Sequence, residues 1–295
     1  MAGPLDRRML MKTDVLEVAG ASLYYEVRGS GPVLLFVCGG VYDAEAFAPL
    51  AERFADRYTV VTYDRRGNSR SPLDGPPEAQ RIETHAEDAR RLLEVVSPGE
   101  AADVFGNSSG AIIALELAAR HPELVRTVVA HEPPLFDLLP NHARWGELMD
   151  EVEATFRAEG AWPALEVFNA AFAGGEAAED AVPDDSAESD ELGPGSMAEP
   201  SADVQARMQQ NFEVFIGYEV PSFAKYRVEL GALSEADVVV GVGSGSKEEP
   251  WARAARVLAE RLGHQAVVFP GDHGGFGSEY EAFAVKLAEV LRAEG

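Results

Sequence analysis

The stretch that decides the fold is "ADVFGNSSGAIIALELAARHPELVRTVVAHE", Ala102 to Glu132. It opens on a short apolar run, "ADVF", and turns through "GNSSG". It continues as "AIIALELAAR", whose apolar residues recur at helical spacing. It then returns as a second apolar run, "VRTVVAH", before Glu132 and two prolines. Strand, tight turn, helix and strand in so short a span make a βαβ unit, in which the two strands run parallel and the helix packs across them.

Outward from this unit the same alternation continues. Upstream, "PVLLFV" and "YTVVTYD" read as strands buried on both faces, separated by the helical spacing of Phe47, Leu50 and Phe54. "HAEDARRLLEVV" is a helix leading into "ADVF". Further upstream, "DVLEVAG" and "SLYYEVRG" alternate apolar and polar residues, as half-buried antiparallel strands do, with glycines at 20, 29 and 31 as punctuation. Downstream, "ADVVVGVG", a helix over 250–262, "QAVVFPG" and "YEAFAVKLAEVLRAE" repeat the strand and helix pattern. The fold class is α/β, with a mostly parallel central sheet and helices on both faces.

The alternation is broken after Pro134. "HARWGELMDEVEATFRAEG", "WPALEVFNAAFAG" and "ADVQARMQQNFEVFIGYEVPSFAKY" read as helices, the last kinked or ended by Pro221. Residues 1–134 and 233–295 therefore form one core domain, with 135–232 as a helical insertion. Within the insertion, Gly174 to Pro200 carries nine acids and no Lys or Arg. Its composition cannot bury enough apolar surface to offset the entropy of ordering, so a disordered loop is expected there.

Charge narrows the partners. The 295-residue chain has 50 acids against 25 bases, a formal net charge of −25. Such a surface repels phosphate backbones and anionic lipid, which argues against nucleic acid and membranes as partners. One cysteine, Cys38, allows no intrachain disulfide and no multi-cysteine metal site. No signal-length apolar run opens the chain and no membrane-length run occurs in it, so the reading is of a soluble, cytoplasmic protein. A homodimer is left open.

"GNSSG", Gly106 to Gly110, fits Gly-x-Ser-x-Gly. A serine at a sharp strand-to-helix turn has its hydroxyl lifted above the sheet, and flanking glycines allow the close approach. The next amide, on Ser109, sits at a helix N-terminus, where it can donate to an oxyanion. The alternative for the motif is a packing turn of small residues; the flanking strand and helix favour the chemical reading. With this context the chain resembles the α/β-hydrolase family over most of its length outside the insertion. "TYDRRGNSRS" resembles the family's loop after strand four, and "VVFPGDHGGF" its histidine loop. "VCGG" stands where many members have His-Gly, with Cys38 in place of the histidine.

The resemblance implies a nucleophile at Ser108, a general base at His273, and oxyanion donors at Gly40 and Ser109. It also implies a helical cap, which the insertion would supply. His273 lies after a strand in a glycine-rich loop, and serine before histidine agrees with the family's chain order. His85, His121, His142 and His264 are placed less well; His131 neighbours Glu132 and has no evident role. For the acid that orients the base, most members use the end of the strand that here reads "ADVVVGVG", but Ser246 occupies that position. Glu248 and Glu249 follow two and three residues late. Another branch, which includes some haloalkane dehalogenases, puts the acid one strand earlier, where this chain has Glu132. Glu132 is the favoured acid, with Glu248 or Glu249 as alternatives.

The functional expectation is a serine hydrolase acting on an ester or lactone of a medium-sized apolar molecule, without metal or cofactor. Trp145, Phe212 and Phe215 are expected among the substrate-binding residues, although about half of the apolar residues in the insertion should simply pack it against the core. The alternative is a non-hydrolytic protein on the same fold, a lyase or small-molecule receptor. Cys38 reads as buried packing rather than a nucleophile. The glycines of "VGVGSGSK" have the wrong spacing for a dinucleotide loop and lack a P-loop ending. The arginines of "DRRGNSRS" read as ties between loops.

Overall fold

A computed structural model describes residues 11–173 and 202–292. The strands are β1 (Lys12–Val18), β2 (Ala21–Gly29), β3 (Val33–Val37), β4 (Thr59–Tyr63), β5 (Ala102–Asn107), β6 (Val125–His131), β7 (Asp237–Gly243) and β8 (Val267–Phe269). They form one sheet in the order β1-β2-β4-β3-β5-β6-β7-β8. β1 and β2 pair antiparallel, β2 meets β4 antiparallel, and the remaining pairs are parallel. The strands that alternate in sequence are thus the antiparallel ones, and the continuous apolar runs are the parallel interior.

The period of two in these runs divides the core into two layers. Leu35, Val37, Val61, Val104 and Val128 pack on one face of the sheet. They meet Leu92 and Leu93 of α2 (Ile82–Val96), Ile112 and Leu115 of α3 (Ser109–Arg120), and Leu258 farther along the chain. Their sequence neighbours Leu34, Phe36, Val60, Phe105 and Val129 face the other way. There they meet Leu50 of α1 (Ala48–Glu52) and the phenylalanine and leucines of the last helix, Phe283, Leu287 and Leu291. Each fully buried Leu, Val or Phe of this kind contributes about 1.5–3 kcal/mol.

Between β6 and β7 the chain runs through α4 (His142–Glu159), α5 (Ala161–Ala173), α6 (Ala202–Val214), a π-helical turn over Phe215–Glu219 and α7 (Val220–Phe223). Pro221 lies in the last turn of this continuous helical run, just after the π-helical turn, and the run ends two residues later at Phe223. These helices share an apolar cluster of their own, Met149, Val152, Ala164, Ile216 and Val220. The acidic stretch Gly174 to Pro200, read as a disordered loop, lies outside the described residues. After β7 come α8 (Pro250–Arg261), β8, α9 (Gly275–Ser278) and α10 (Tyr280–Arg292). Among the described residues no helix is long and apolar enough to cross a membrane.

Candidate active site

The C-terminal ends of the parallel strands all open on one edge of the sheet, which is where open α/β sheets bind ligands. Ser108 lies at the end of β5, Glu132 at the end of β6 and His273 just after β8.

Ser108 joins β5 to α3 with φ 53° and ψ −128°, a backbone region that L-residues rarely occupy. Its N–H donates to the His131 carbonyl at 2.9 Å, which ties the turn to the end of β6. The two glycines of the motif have steric causes. A Cβ at Gly106 would lie 2.4 Å from the Gly110 carbonyl oxygen, and one at Gly110 would lie 2.2 Å from the Val37 carbonyl oxygen. Backbone meets backbone at both positions, so no side chain can move aside.

Glu132 is the second strained residue, with φ 48°. It is fully buried. Its N–H donates to the Gly241 carbonyl at 3.0 Å. One carboxylate oxygen accepts the Gly243 N–H at 2.7 Å, and the other lies 2.7 Å from His273 Nδ1. Burial alone would raise this carboxyl group. The hydrogen bond from His273, with smaller contributions from the neighbouring His131 and Ser246, outweighs it and holds Glu132 below its ordinary value. Ser246, in the position where most of the family would carry the acid, is buried beside Glu132 and also favours its ionised form. Gly241 and Gly243 of "VGVGSGSK" are thus backbone partners of Glu132, whereas the Gly245 N–H donates to the Gly271 carbonyl.

The other candidate acids are elsewhere. Glu248 is largely exposed and lies 3.7 Å from Arg256. Glu249 precedes α8, and burial together with the nearby Glu132 charge raises its carboxyl group above its ordinary value. Neither contacts His273. The sheet thus brings Glu132 and His273 together and leaves the later acids apart. With Glu132 on Nδ1, Nε2 of His273 is the nitrogen left for chemistry.

The loop Cys38–Gly40 runs beside the serine turn. A Cβ at Gly39 would lie 2.8 Å from Ser108 Cβ and 3.1 Å from the Ser109 nitrogen. The Gly39 N–H donates to Asn107 Oδ1 at 3.0 Å, and the Gly40 N–H donates to Ser109 Oγ at 2.9 Å. Cys38 is fully buried, its sulfur lies 3.1 Å from the Asp43 carbonyl oxygen, and burial pushes its thiol well up, so it stays protonated.

The arginines of "DRRGNSRS" tie this loop to its surroundings. Arg70 pairs with Asp64 at 2.7 Å, and Arg66 pairs with Asp88 at 2.6 Å. Arg65 is fully buried and pairs with the equally buried Glu219 of the π-helical turn at 2.7 Å. Its other Nη donates to the Gly40 carbonyl at 2.7 Å. The insertion thereby reaches the Gly40 loop through a charged pair that sequence spacing does not reveal.

Trp145, Phe212 and Phe215 are all in the aromatic packing of the helical segment. Trp145 is buried and stacks on Phe136 with ring centroids 4.4 Å apart. It connects to the site through Phe172 and Trp251. Phe212 lies on Trp162, and Phe215 edges onto Phe168. Trp251, absent from the sequence-based candidates, is the ring that lies on His273, with centroids 4.7 Å apart. Only its place two residues after Glu249, at the start of a helix, hinted at it. Among the described residues no three His, Cys, Asp or Glu side chains gather in a way that would hold a metal ion.

Residues 32–184 match the family model of the alpha/beta hydrolase fold. An uncharacterized hydrolase of Bacillus subtilis (strain 168), YraK, is 36% identical over 294 residues, which span 97% of this chain and 98% of that protein. An esterase from Thermogutta terrifontis superposes with a TM-score of 0.69 at 17% identity, over 95% of this chain and 99% of that one. An enol-lactonase from Burkholderia xenovorans LB400 does so with a TM-score of 0.63 at 18% identity, over 94% and 99%. Sheet order, serine turn and full-length similarity agree, and the chain belongs to the α/β-hydrolase fold family.

Proposed function

We propose that the protein is a serine hydrolase that cleaves a carboxylic ester or lactone of a medium-sized, largely apolar molecule, with Ser108 as nucleophile, His273 as general base and Glu132 as its orienting acid. The observation that carries the reading is the 2.7 Å contact between His273 Nδ1 and a buried, ionised Glu132, at the strand end that also receives the Ser108 N–H. A serine hydrolase needs this combination, whereas packing alone does not call for a carboxylate fixed against an imidazole at a strained strand end.

In this reading His273 Nε2 takes the Ser108 proton as Oγ attacks the substrate carbonyl. The tetrahedral oxyanion is met at Ser109, beside the Gly40 peptide that the resemblance assigns to the oxyanion hole. The intermediate collapses to an acyl-serine as His273 returns the proton to the leaving alkoxide oxygen. Water, deprotonated by the same imidazole, then attacks the acyl-serine, and the acid departs with Ser108 reprotonated. Glu132 fixes the tautomer and stabilises the imidazolium. Residues 135–232 act as a cap, and its aromatic side chains shape an apolar approach to Ser108. The names of the similar proteins, a hydrolase, an esterase and an enol-lactonase, support the ester or lactone class.

The test is turnover of p-nitrophenyl esters and aliphatic lactones of graded chain length, with pre-steady-state kinetics on the best substrate. A burst of alcohol release equal to the enzyme concentration, absent in Ser108→Ala, is expected. No turnover across the panel, or full turnover by Ser108→Ala, overturns the proposal.

A further inference from the structure

The Gly40 amide, which the family resemblance makes an oxyanion donor, is engaged in the structure. It donates to Ser109 Oγ at 2.9 Å. The same peptide is held at its other end, where the Gly39 carbonyl accepts the Tyr42 N–H at 3.3 Å. The Arg65 guanidinium fixes the following carbonyl, that of Gly40, at 2.7 Å. Gly40 has φ 54° and opens on empty space: a Cβ added there meets nothing within 4 Å. The peptide is therefore pinned on three sides next to an open volume, and its N–H faces a hydroxyl.

A serine hydroxyl that accepts one N–H still has a proton to donate. Ser109 is almost fully buried. Among the described residues nothing accepts its hydroxyl proton. Its own backbone N–H opens α3 and is free of the helix ladder, as the first helical amides are. The Gly39 backbone lies against both Ser108 Cβ and the Ser109 nitrogen, and the next amide, that of Gly40, meets the Ser109 hydroxyl.

We propose that the Ser109 side chain is a catalytic residue, its hydroxyl donating to the oxyanion while it accepts the Gly40 N–H. This rests on the acyl-transfer reading above. The chain Gly40 N–H to Ser109 O–H to oxyanion polarises in one direction, so the amide's effect reaches the negative oxygen through the hydroxyl. Ser109 then supplies two donors, backbone and side chain, and Gly40 acts at second hand. The residue after the nucleophile is thereby chosen for its oxygen as well as for its small size.

The alternative has the opposite sign. If the hydroxyl merely covers the Gly40 N–H until substrate arrives, removing it frees a donor. The experiment compares wild type, Ser109→Ala and Ser109→Cys on one activated ester, reading kcat and KM separately. It also reads the inhibition constant of a trifluoromethyl ketone, which forms an oxyanion on the nucleophile. Far-UV circular dichroism and thermal unfolding confirm that the variants fold. The proposal expects kcat to fall about 10²-fold in both variants, as for loss of one oxyanion donor. It also expects KM to stay within a few-fold and the ketone to weaken by a similar factor to kcat. A Ser109→Ala or Ser109→Cys enzyme that folds and keeps or raises kcat overturns it, as does a ketone affinity that does not change. A wild type with no turnover, or one whose turnover survives Ser108→Ala, overturns the acyl-transfer reading and this inference with it, whereas a wild type whose turnover depends on Ser108 but whose Ser109→Ala variant is unimpaired overturns the inference alone.

Discussion

Replacing His131 by leucine should make the protein more stable, and increasingly so as the solution is acidified. His131 ends β6, is fully buried, and among the described residues neither ring nitrogen has a hydrogen-bond partner. Phe105, Phe269 and Phe283 surround it with ring centroids 6.5, 5.6 and 5.2 Å away. Burial pushes its pKa from 6.5 down to about 4, against the opposing pull of Glu132 and Asp272 and with the help of His273. The unfolded chain takes up a proton near pH 6.5 that the folded protein refuses until about pH 4. Stability therefore falls as pH drops through this interval, and the loss is complete near its lower end. At 1.36 kcal/mol for each pH unit, the whole interval amounts to about 3.4 kcal/mol, of which about 2 kcal/mol accrues between pH 7.5 and 5. His131→Leu removes this loss and also the unpartnered nitrogens, which cost about 1–3 kcal/mol at neutral pH. Glu132, held below its ordinary 4.5, gives stability that is present above that value and lost as pH falls below it. Stopping at pH 5 keeps its titration out of the comparison. The assay is urea unfolding of both proteins at pH 7.5 and pH 5, followed by circular dichroism. The stability gap should widen by about 2 kcal/mol on acidification. An equal gap at both values would show that His131 titrates normally in the folded state, and a gap that narrows on acidification would show that it is charged there.

Two pairs of substitutions test the site's electrostatics. Glu132→Gln should lower kcat about 10⁴-fold, because an amide in place of the carboxylate favours the wrong tautomer of His273; Glu249→Gln should change kcat by no more than a few-fold, and the reverse ranking in steady-state kinetics would move the acid to the later loop. Glu219→Met leaves Arg65 charged and buried without a partner, and should cost about 3–5 kcal/mol in urea unfolding, most of it recovered when Arg65→Met is added. Single losses that simply sum in the double variant would mean the two side chains do not act as a pair.

The sheet was legible because its chemistry is local. Runs such as "PVLLFV" and "VRTVVAH" must be buried on both faces, and the glycines between them admit few conformations. Ser108 was legible for the same reason, since its turn, its glycines and its helix lie within a single stretch. Glu132 was favoured by an argument from a vacancy, with Ser246 where an acid was expected, and the structure adds its 2.7 Å contact with His273. The contacts that were not legible join residues far apart in the chain. Arg65 meets Glu219, and Trp251 lies on His273, only because the helices between β6 and β7 and the start of α8 fold over the sheet edge. His131 looked like a polar neighbour of Glu132, yet strand alternation turns its side chain into the apolar layer of Phe105 and Phe283. The Gly40 and Ser109 contact depends on the position of two backbone loops to within an ångström, which no residue pattern encodes.

If Ser108 is a nucleophile activated by His273, it should react with a fluorophosphonate. A fluorophosphonate phosphonylates a serine only where a base removes its proton and donors receive the developing oxyanion. Intact-mass measurement after incubation, followed by peptide mapping, reads this directly. One adduct per chain is expected, located on Ser108, absent in Ser108→Ala and much slower to form in His273→Ala. A wild-type chain that stays unlabelled, or an adduct that persists in Ser108→Ala, would contradict it.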